Sequence, residues 1–287
     1  SGGGDGEVVR VERRANGVAE VVLARPRKLN AFNDAVFTQL TAAFEALDAD
    51  RDCRAVVLRG DGRAFTAGLD LAEAAQLATD PAAFGGDGGD GEESRAAWSA
   101  AFMRNVRRWQ RLPLAVARCH APVIAAVHGH CVGAGMDVIT QCDIRVCARD
   151  AQFSIKEVQL AIVADIGTLQ RVEHVLPSAL ARKMAYTGDA VDAATMLTAG
   201  FVCDVYDTHD ALLDGARALA DRIAAQSPLA VAGTKHVLDR QRGGYGKLDD
   251  DLHYVALFNS SYIASADLQE AAMARAMRRA PTFRSKL

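Results

Sequence analysis

Apolar and polar positions change rhythm repeatedly along the first two hundred residues, and each change marks a predicted element. Val8 to Arg13 and Val18 to Ala24 alternate around an Ala15-Asn16-Gly17 turn, which predicts two paired strands. Asn33 or Asp34 can cap the helix that follows, because Val36, Phe37, Leu40, Phe44 and Leu47 fall on one helical face. Arg54 to Arg59 then reads as a short buried strand. Strand, helix and strand in that order predict a crossover unit and an α/β fold.

Phe65-Thr66-Ala67-Gly68-Leu69-Asp70-Leu71 leads into an Ala-rich helix, and from 79 to 93 the composition shifts to Gly and Asp, the mark of a flexible loop. A long helix is predicted from about Ser94 to Arg118. Ala121 to Val127 has the unbroken apolar character of a buried strand, and it runs into Gly129–Gly135 and a helix from Met136 to Gln141. Ile144 to Ala148 and Phe153 to Ile155 are further extended pieces. After about Asp207 the strand signals stop, and helices are predicted at 209–226, 228–241, 248–264 and 266–279. The expected division is a core over 1–207 and a helical region over 208–287.

Composition adds limits. The chain has 287 residues, 50% hydrophobic and 24% charged, which suits one large domain or a core with an appendage. A net charge of −3 gives no overall field to gather nucleic acid or an anionic membrane. The longest apolar run is of strand length, so no membrane span is expected. Ser1 to Gly6 lacks the layout of a secretory or mitochondrial signal. The final Ser285-Lys286-Leu287 matches a peroxisomal address, which implies the peroxisomal import receptor as a partner.

Six cysteines without CxxC spacing suggest buried thiols in a reducing compartment. His128-Gly129-His130-Cys131 invites a metal reading, but alternate strand residues point to opposite faces, so no metal site is expected.

Candidate chemistry concentrates in two places. The glycine-rich turn before the helix at 136 fits neither the dinucleotide fingerprint nor a P-loop. What remains is either backbone N–H groups at a helix start, suited to a developing oxyanion, or plain close packing of strand on helix. Three acids follow: Asp137, Glu157 and Asp165. Each has a bland alternative: stabilisation in a first helical turn for Asp137, a surface ion pair with Lys156 for Glu157, a helix cap for Asp165.

Several ordered segments together resemble the crotonase (enoyl-CoA hydratase/isomerase) superfamily. These are Leu29-Asn30-Ala31-Phe32, Phe65 to Asp70, Ala125 to Asp137, Cys142-Asp143-Ile144-Arg145, Phe153 to Glu157 and Gly167 to Arg171. The resemblance implies a crotonase-like spiral of ββα repeats with a helical C-terminal oligomerisation region, assembled as trimers or dimers of trimers. It also implies an acyl-CoA thioester substrate, with the Ala67 and Ala134 amides holding the thioester oxygen and Ala67, Gly68, Leu69, Asp70, Leu71 and Ala134 contacting substrate. No cofactor beyond the substrate's own CoA is implied.

Hydratases of that superfamily have two glutamates at the positions of Asp137 and Glu157, and usually glycine at the position of Asp165. The Asp-Glu-Asp trio here resembles the Δ3,5-Δ2,4-dienoyl-CoA isomerases. The expectation is proton removal from C2 by Asp165, proton return at C6 from Glu157, and a supporting role for Asp137. A 2-enoyl-CoA hydratase, a non-catalytic acyl-CoA-binding protein and another reaction of the superfamily are the alternatives.

Overall fold

The computed structural model describes residues 6–70, 72, 92–242, 266, 267, 270, 273, 274 and 277–283. Leu71, most of the Gly/Asp-rich stretch, the predicted helix at 248–264 and Ser285-Lys286-Leu287 lie outside the described residues.

Strands β1 (Val9–Arg13) and β2 (Val18–Leu23) form the antiparallel hairpin the alternation predicts. Helix α1 (Asp34–Ala49) is capped by Asn33, whose side chain accepts from the Val36 N–H, and it returns the chain to β3 (Ala55–Gly60), parallel to β2. Helix α2 (Glu92–Arg118) then leads to β4 (Val123–Val127), again parallel.

From there each unit gives one strand to the main sheet and one to a smaller sheet. The segments are β5 (His130–Val132), α3 (Ala134–Ile139), β6 (Ile144–Ala148), β7 (Gln152–Ser154), α4 (Thr168–Val175), α5 (Ser178–Thr187), β8 (Val191–Asp192), α6 (Ala193–Thr198) and β9 (Asp204–Tyr206). The main sheet runs β1-β2-β3-β4-β6-β9 and the small one β5-β7-β8. Helix α3 starts at Ala134 rather than Met136, and the predicted turn at 129–135 contains a strand. Cys131 sits in that strand, paired with Phe153 of β7 and bridged on its other side by Thr66.

The main sheet is buried on both faces, which is why its parallel strands read as continuous apolar runs. Val56, Leu58, Val123, Ala125 and Val127 face one core with Leu40 and Phe44 of α1 and Leu112 and Val116 of α2. Their alternates Ala55, Val57, Ile124, Ala126 and Val146 face Leu212, Ala216, Ala220 and Ala224 of α7 (His209–Ala224). Packing is therefore continuous across 207–208: α7 closes the second face of the sheet. Helix α8 (Pro228–Arg242) follows, tied back by Lys235 Nζ to Asp143 at 2.7 Å.

Five cysteines are buried and Cys203 is exposed. No helix among the described residues is long and apolar enough to cross a membrane.

Leu212 is fully buried in the core beneath α7. Leu212→Ala is expected to lower stability by about 2–5 kcal/mol in denaturant titration, by lost burial plus the cavity left behind.

Candidate active site

The switch from the main sheet to the small one brings the predicted segments together. Thr66 lies beside β5, donating its N–H to the His130 carbonyl and accepting from the Val132 N–H. The Gly68 region and the Val132–Ala134 turn therefore run side by side. Phe32 bridges to Leu69 in parallel fashion: its N–H donates to the Gly68 carbonyl, and its carbonyl accepts from Asp70 N–H.

That pairing decides which amide can meet a substrate oxygen. The Ala67 N–H, expected in that role, is committed to the Leu29 carbonyl at 2.9 Å, and the Gly68 N–H points at Thr66 Oγ at 3.1 Å. The Leu69 N–H lies on the side of the chain away from Phe32 and has no acceptor among the described residues. The Ala134 N–H, at the start of α3, likewise has none, because the first internal bonds of this turn begin at Met136 and Asp137. Asp70 is tied back to Arg25 at 3.3 Å.

Two glycines shape this turn for different reasons. Gly133 has φ +50° and ψ −111°, a conformation side chains rarely adopt, and a Cβ there would stand 3.2 Å from Glu157 Oε1. A Cβ at Gly135 would overlap the Thr66 methyl and crowd Cys131 Sγ at 3.0 Å. Packing of strand on helix and exposure of backbone N–H groups thus coexist in one loop.

Asp137 is 2% exposed, in the first turn of α3. Its Oδ1 accepts from both the backbone N–H of Thr168 at 2.7 Å and the Thr168 hydroxyl at 2.6 Å. It therefore satisfies the start of α4, the role expected of Asp165 if that acid were only a cap. Glu157 begins a short 3-10 turn (Glu157–Leu160) after β7. It is 8% exposed, its Oε2 is buried without a partner, and it makes no ion pair with Lys156 among the described residues. Asp165 is half-buried, and Gln110 of α2 fixes its backbone by donating Nε2–H to its carbonyl at 2.6 Å. Gln110 and Thr168 carry no sequence signal of their own as site residues.

All three carboxyls are pushed toward the neutral form. Burial raises Asp137 to about 7, and the charges of Glu157 and Asp165 push further, while the Thr168 bonds oppose both. Burial raises Glu157, with Asp165 adding repulsion, and burial also raises Asp165. No cation pairs with any of the three among the described residues. His128 is buried with Nε2 2.9 Å from the Gly62 carbonyl, whereas His130 is exposed, so the two do not converge. No metal-binding cluster of three or more His, Cys, Asp or Glu occurs among the described residues.

This geometry, a cation-free carboxyl group of three beside two unpaired amides, coincides with a match to the enoyl-CoA hydratase/isomerase family over residues 13–286. The chain belongs to that family. A mitochondrial Δ3,5-Δ2,4-dienoyl-CoA isomerase of Dictyostelium discoideum is 39% identical over 99% of this chain and 93% of its own. A peroxisomal protein of the same name from Arabidopsis thaliana is 38% identical over 96% of each chain. An enoyl-CoA hydratase structure from Mycobacterium tuberculosis superposes with a TM-score of 0.78 at 30% identity, covering 96% of this chain and 98% of that one. Relatives named as isomerases are thus found by sequence, and a structure named as a hydratase shares the fold.

The elevated Asp137 gives a linkage test. Below the ordinary value of 3.8 the folded state bears no penalty from this group; the penalty grows as pH rises from 3.8 and is complete once pH exceeds about 7. Asp137→Asn keeps an acceptor oxygen for Thr168 and removes the charge. Its stability advantage over the wild type, read from Tm as a function of pH, is expected to grow between pH 4 and 7 and then level off, reaching on the order of 4 kcal/mol at most. A Tm difference independent of pH would contradict the buried-charge account.

Proposed function

We propose that this chain is a Δ3,5-Δ2,4-dienoyl-CoA isomerase acting in fatty-acid oxidation. The observation that carries the reading is the third acid, Asp165, near enough to Asp137 and Glu157 for its charge to disfavour theirs, on the loop that Thr168 ties to Asp137. The reaction moves two double bonds into conjugation with a thioester. A proton leaves C2, the negative charge spreads through the thioester and diene, and a proton arrives at C6. The two carbons are too far apart for one carboxyl to reach easily, so two acids at different points of the pocket fit the chemistry.

The unpaired Leu69 and Ala134 amides are proposed to receive the thioester oxygen, replacing Ala67 in that role. Each such donor is worth roughly 3–4 kcal/mol in comparable sites. The position of Glu157 supports the opposite direction from the one expected. Its carboxylate lies against Gly133, next to Ala134, and C2 is the carbon bonded to the thioester carbonyl. Glu157 is therefore assigned as the base at C2 and Asp165 as the acid at C6. Asp137 holds the segment that carries Asp165. The thioester is itself the electron sink, so the reaction requires no group beyond the substrate's CoA.

With 3,5-octadienoyl-CoA, the protein is expected to produce the conjugated 2,4-dienoyl chromophore. Hydration of 2-enoyl-CoA without isomerisation would overturn the assignment in favour of a hydratase. In D2O, Asp165→Asn should lose isomerisation by roughly 100- to 10,000-fold yet still exchange deuterium into C2, whereas Glu157→Gln should lose both. The opposite pattern would restore Asp165 to C2.

A homo-oligomer of trimers, alone or paired, is part of the proposal. Exposed Val158, Leu160, Ile162 and Val163, clustered just after Glu157, support a subunit contact there. Light scattering of the purified protein is expected to give three or six times the 30.5 kDa chain mass.

A further inference from the structure

Asp137 is the most buried of the three acids, and one residue supplies both of its hydrogen bonds. The Thr168 N–H and hydroxyl converge on the same oxygen, Oδ1, at 2.7 and 2.6 Å. Two donors on Oδ1 disfavour the acidic proton there, so protonation of Asp137 is favoured on Oδ2. Thr168 is itself completely buried, at the first position of α4, three residues after Asp165. One short contact therefore joins the start of α3, which carries a free amide, to the loop that carries Asp165.

We infer that Thr168 is a positioning residue of the reaction, which fixes the Asp137 carboxyl and the loop bearing Asp165 while setting the ionisation of Asp137 through its hydroxyl. The inference rests on the isomerase reading for its link to turnover, but its physical core does not. The titratable groups that face Asp137 are Glu157 from the 3-10 turn, Asp165 from the loop before α4, and the Cys131 thiol from β5. All three disfavour a negative charge at Asp137 or are disfavoured by it. The Thr168 bonds are the opposing influence. Removing the hydroxyl alone leaves the backbone donor in place and changes the side-chain volume little, so charge and packing can be separated.

The experiment compares Thr168→Val with Thr168→Ser, each alone and combined with Asp137→Asn, by Tm as a function of pH and by kcat and KM as functions of pH. In Thr168→Val, the pH midpoint of the Asp137-linked Tm loss is expected to rise by roughly one to two pH units, the equivalent of one hydrogen bond to a charged group. The limb of the kcat profile that belongs to Asp137 should move with it, and kcat should fall more than KM rises. Thr168→Ser should restore both, and Asp137→Asn should abolish the pH-dependent difference between the Val and Ser variants. Equal Tm loss at every pH, or Thr168→Ser as impaired as Thr168→Val, would overturn the inference and leave Thr168 as packing only. A shifted Tm midpoint in a protein whose wild type fails to isomerise any dienoyl-CoA would overturn the isomerase reading and the catalytic part of this one, with the electrostatic part retained.

Discussion

Burying carboxyls without cations is the constraint on which this site depends. The same chain shows the alternative. Glu20, on β2, is buried almost as deeply, and burial works against its charge, but Arg217 and Arg59 donate to it at 2.7–3.0 Å. Together they outweigh burial and hold Glu20 below its ordinary range, so it stays charged and fastens α7 to the sheet. Asp137, Glu157 and Asp165 receive no such partner among the described residues, and all three are raised. The first arrangement suits structure, because the charge is permanent. The second suits proton transfer, because small changes in surroundings decide which group holds a proton.

The backbone around the acids is arranged with little freedom. Gly133 occupies a conformation that favours glycine and lets Glu157 approach the turn, while Gly135 lets α3 approach Thr66 and Cys131. A side chain at Gly135 would push α3 away from Thr66, which is itself paired across to β5, and one at Gly133 would be strained by its positive φ and would crowd Glu157. The amides and the acids are thus positioned by one set of contacts. That is why a glycine-rich loop resembling a phosphate cradle serves here without any phosphate-binding pattern.

Much of the fold was legible because local rules and tertiary structure agree. Asn33 caps α1 as its residue type predicts, and the apolar runs at 55–60 and 123–127 are strands buried on both faces. The three acids were legible as a group only through resemblance, since spacings of 20 and 8 residues imply no contact. Which amide faces the pocket was not legible. Ala67 and Leu69 are two residues apart and would point their N–H groups the same way in extended chain, so their difference comes from Gly68 at φ +89° and from pairing with Leu29 and Phe32, distant in sequence. The packing of α7 was hidden similarly: alanines at 216, 220 and 224 read as helix formers, and only the sheet beneath them shows that they permit close approach. Thr168 looked like an ordinary first residue of a helix because its partner lies 31 positions earlier.

The unequal burial of the two proposed proton-transfer groups has a kinetic consequence. One isomerisation leaves the acid at C2 protonated and the acid at C6 ionised, the reverse of the starting state. Before the next turnover one proton must leave Glu157 and another must reach Asp165. Asp165 is half-buried and the more open to solvent, but Glu157 is 8% exposed with an oxygen that has no partner among the described residues. Resetting Glu157 therefore needs a route through the pocket itself. Mutual repulsion sets the order, because charge on Asp165 keeps the proton on Glu157 until Asp165 regains its own. Asp137, with Oδ1 held by both Thr168 donors, is fixed in orientation, and its charge and those of Glu157 and Asp165 disfavour one another. On the proposed roles, a third acid fixed in place lets two others alternate, and hydrogen bonding from Thr168, not residue type, is what distinguishes Asp137 from Asp165.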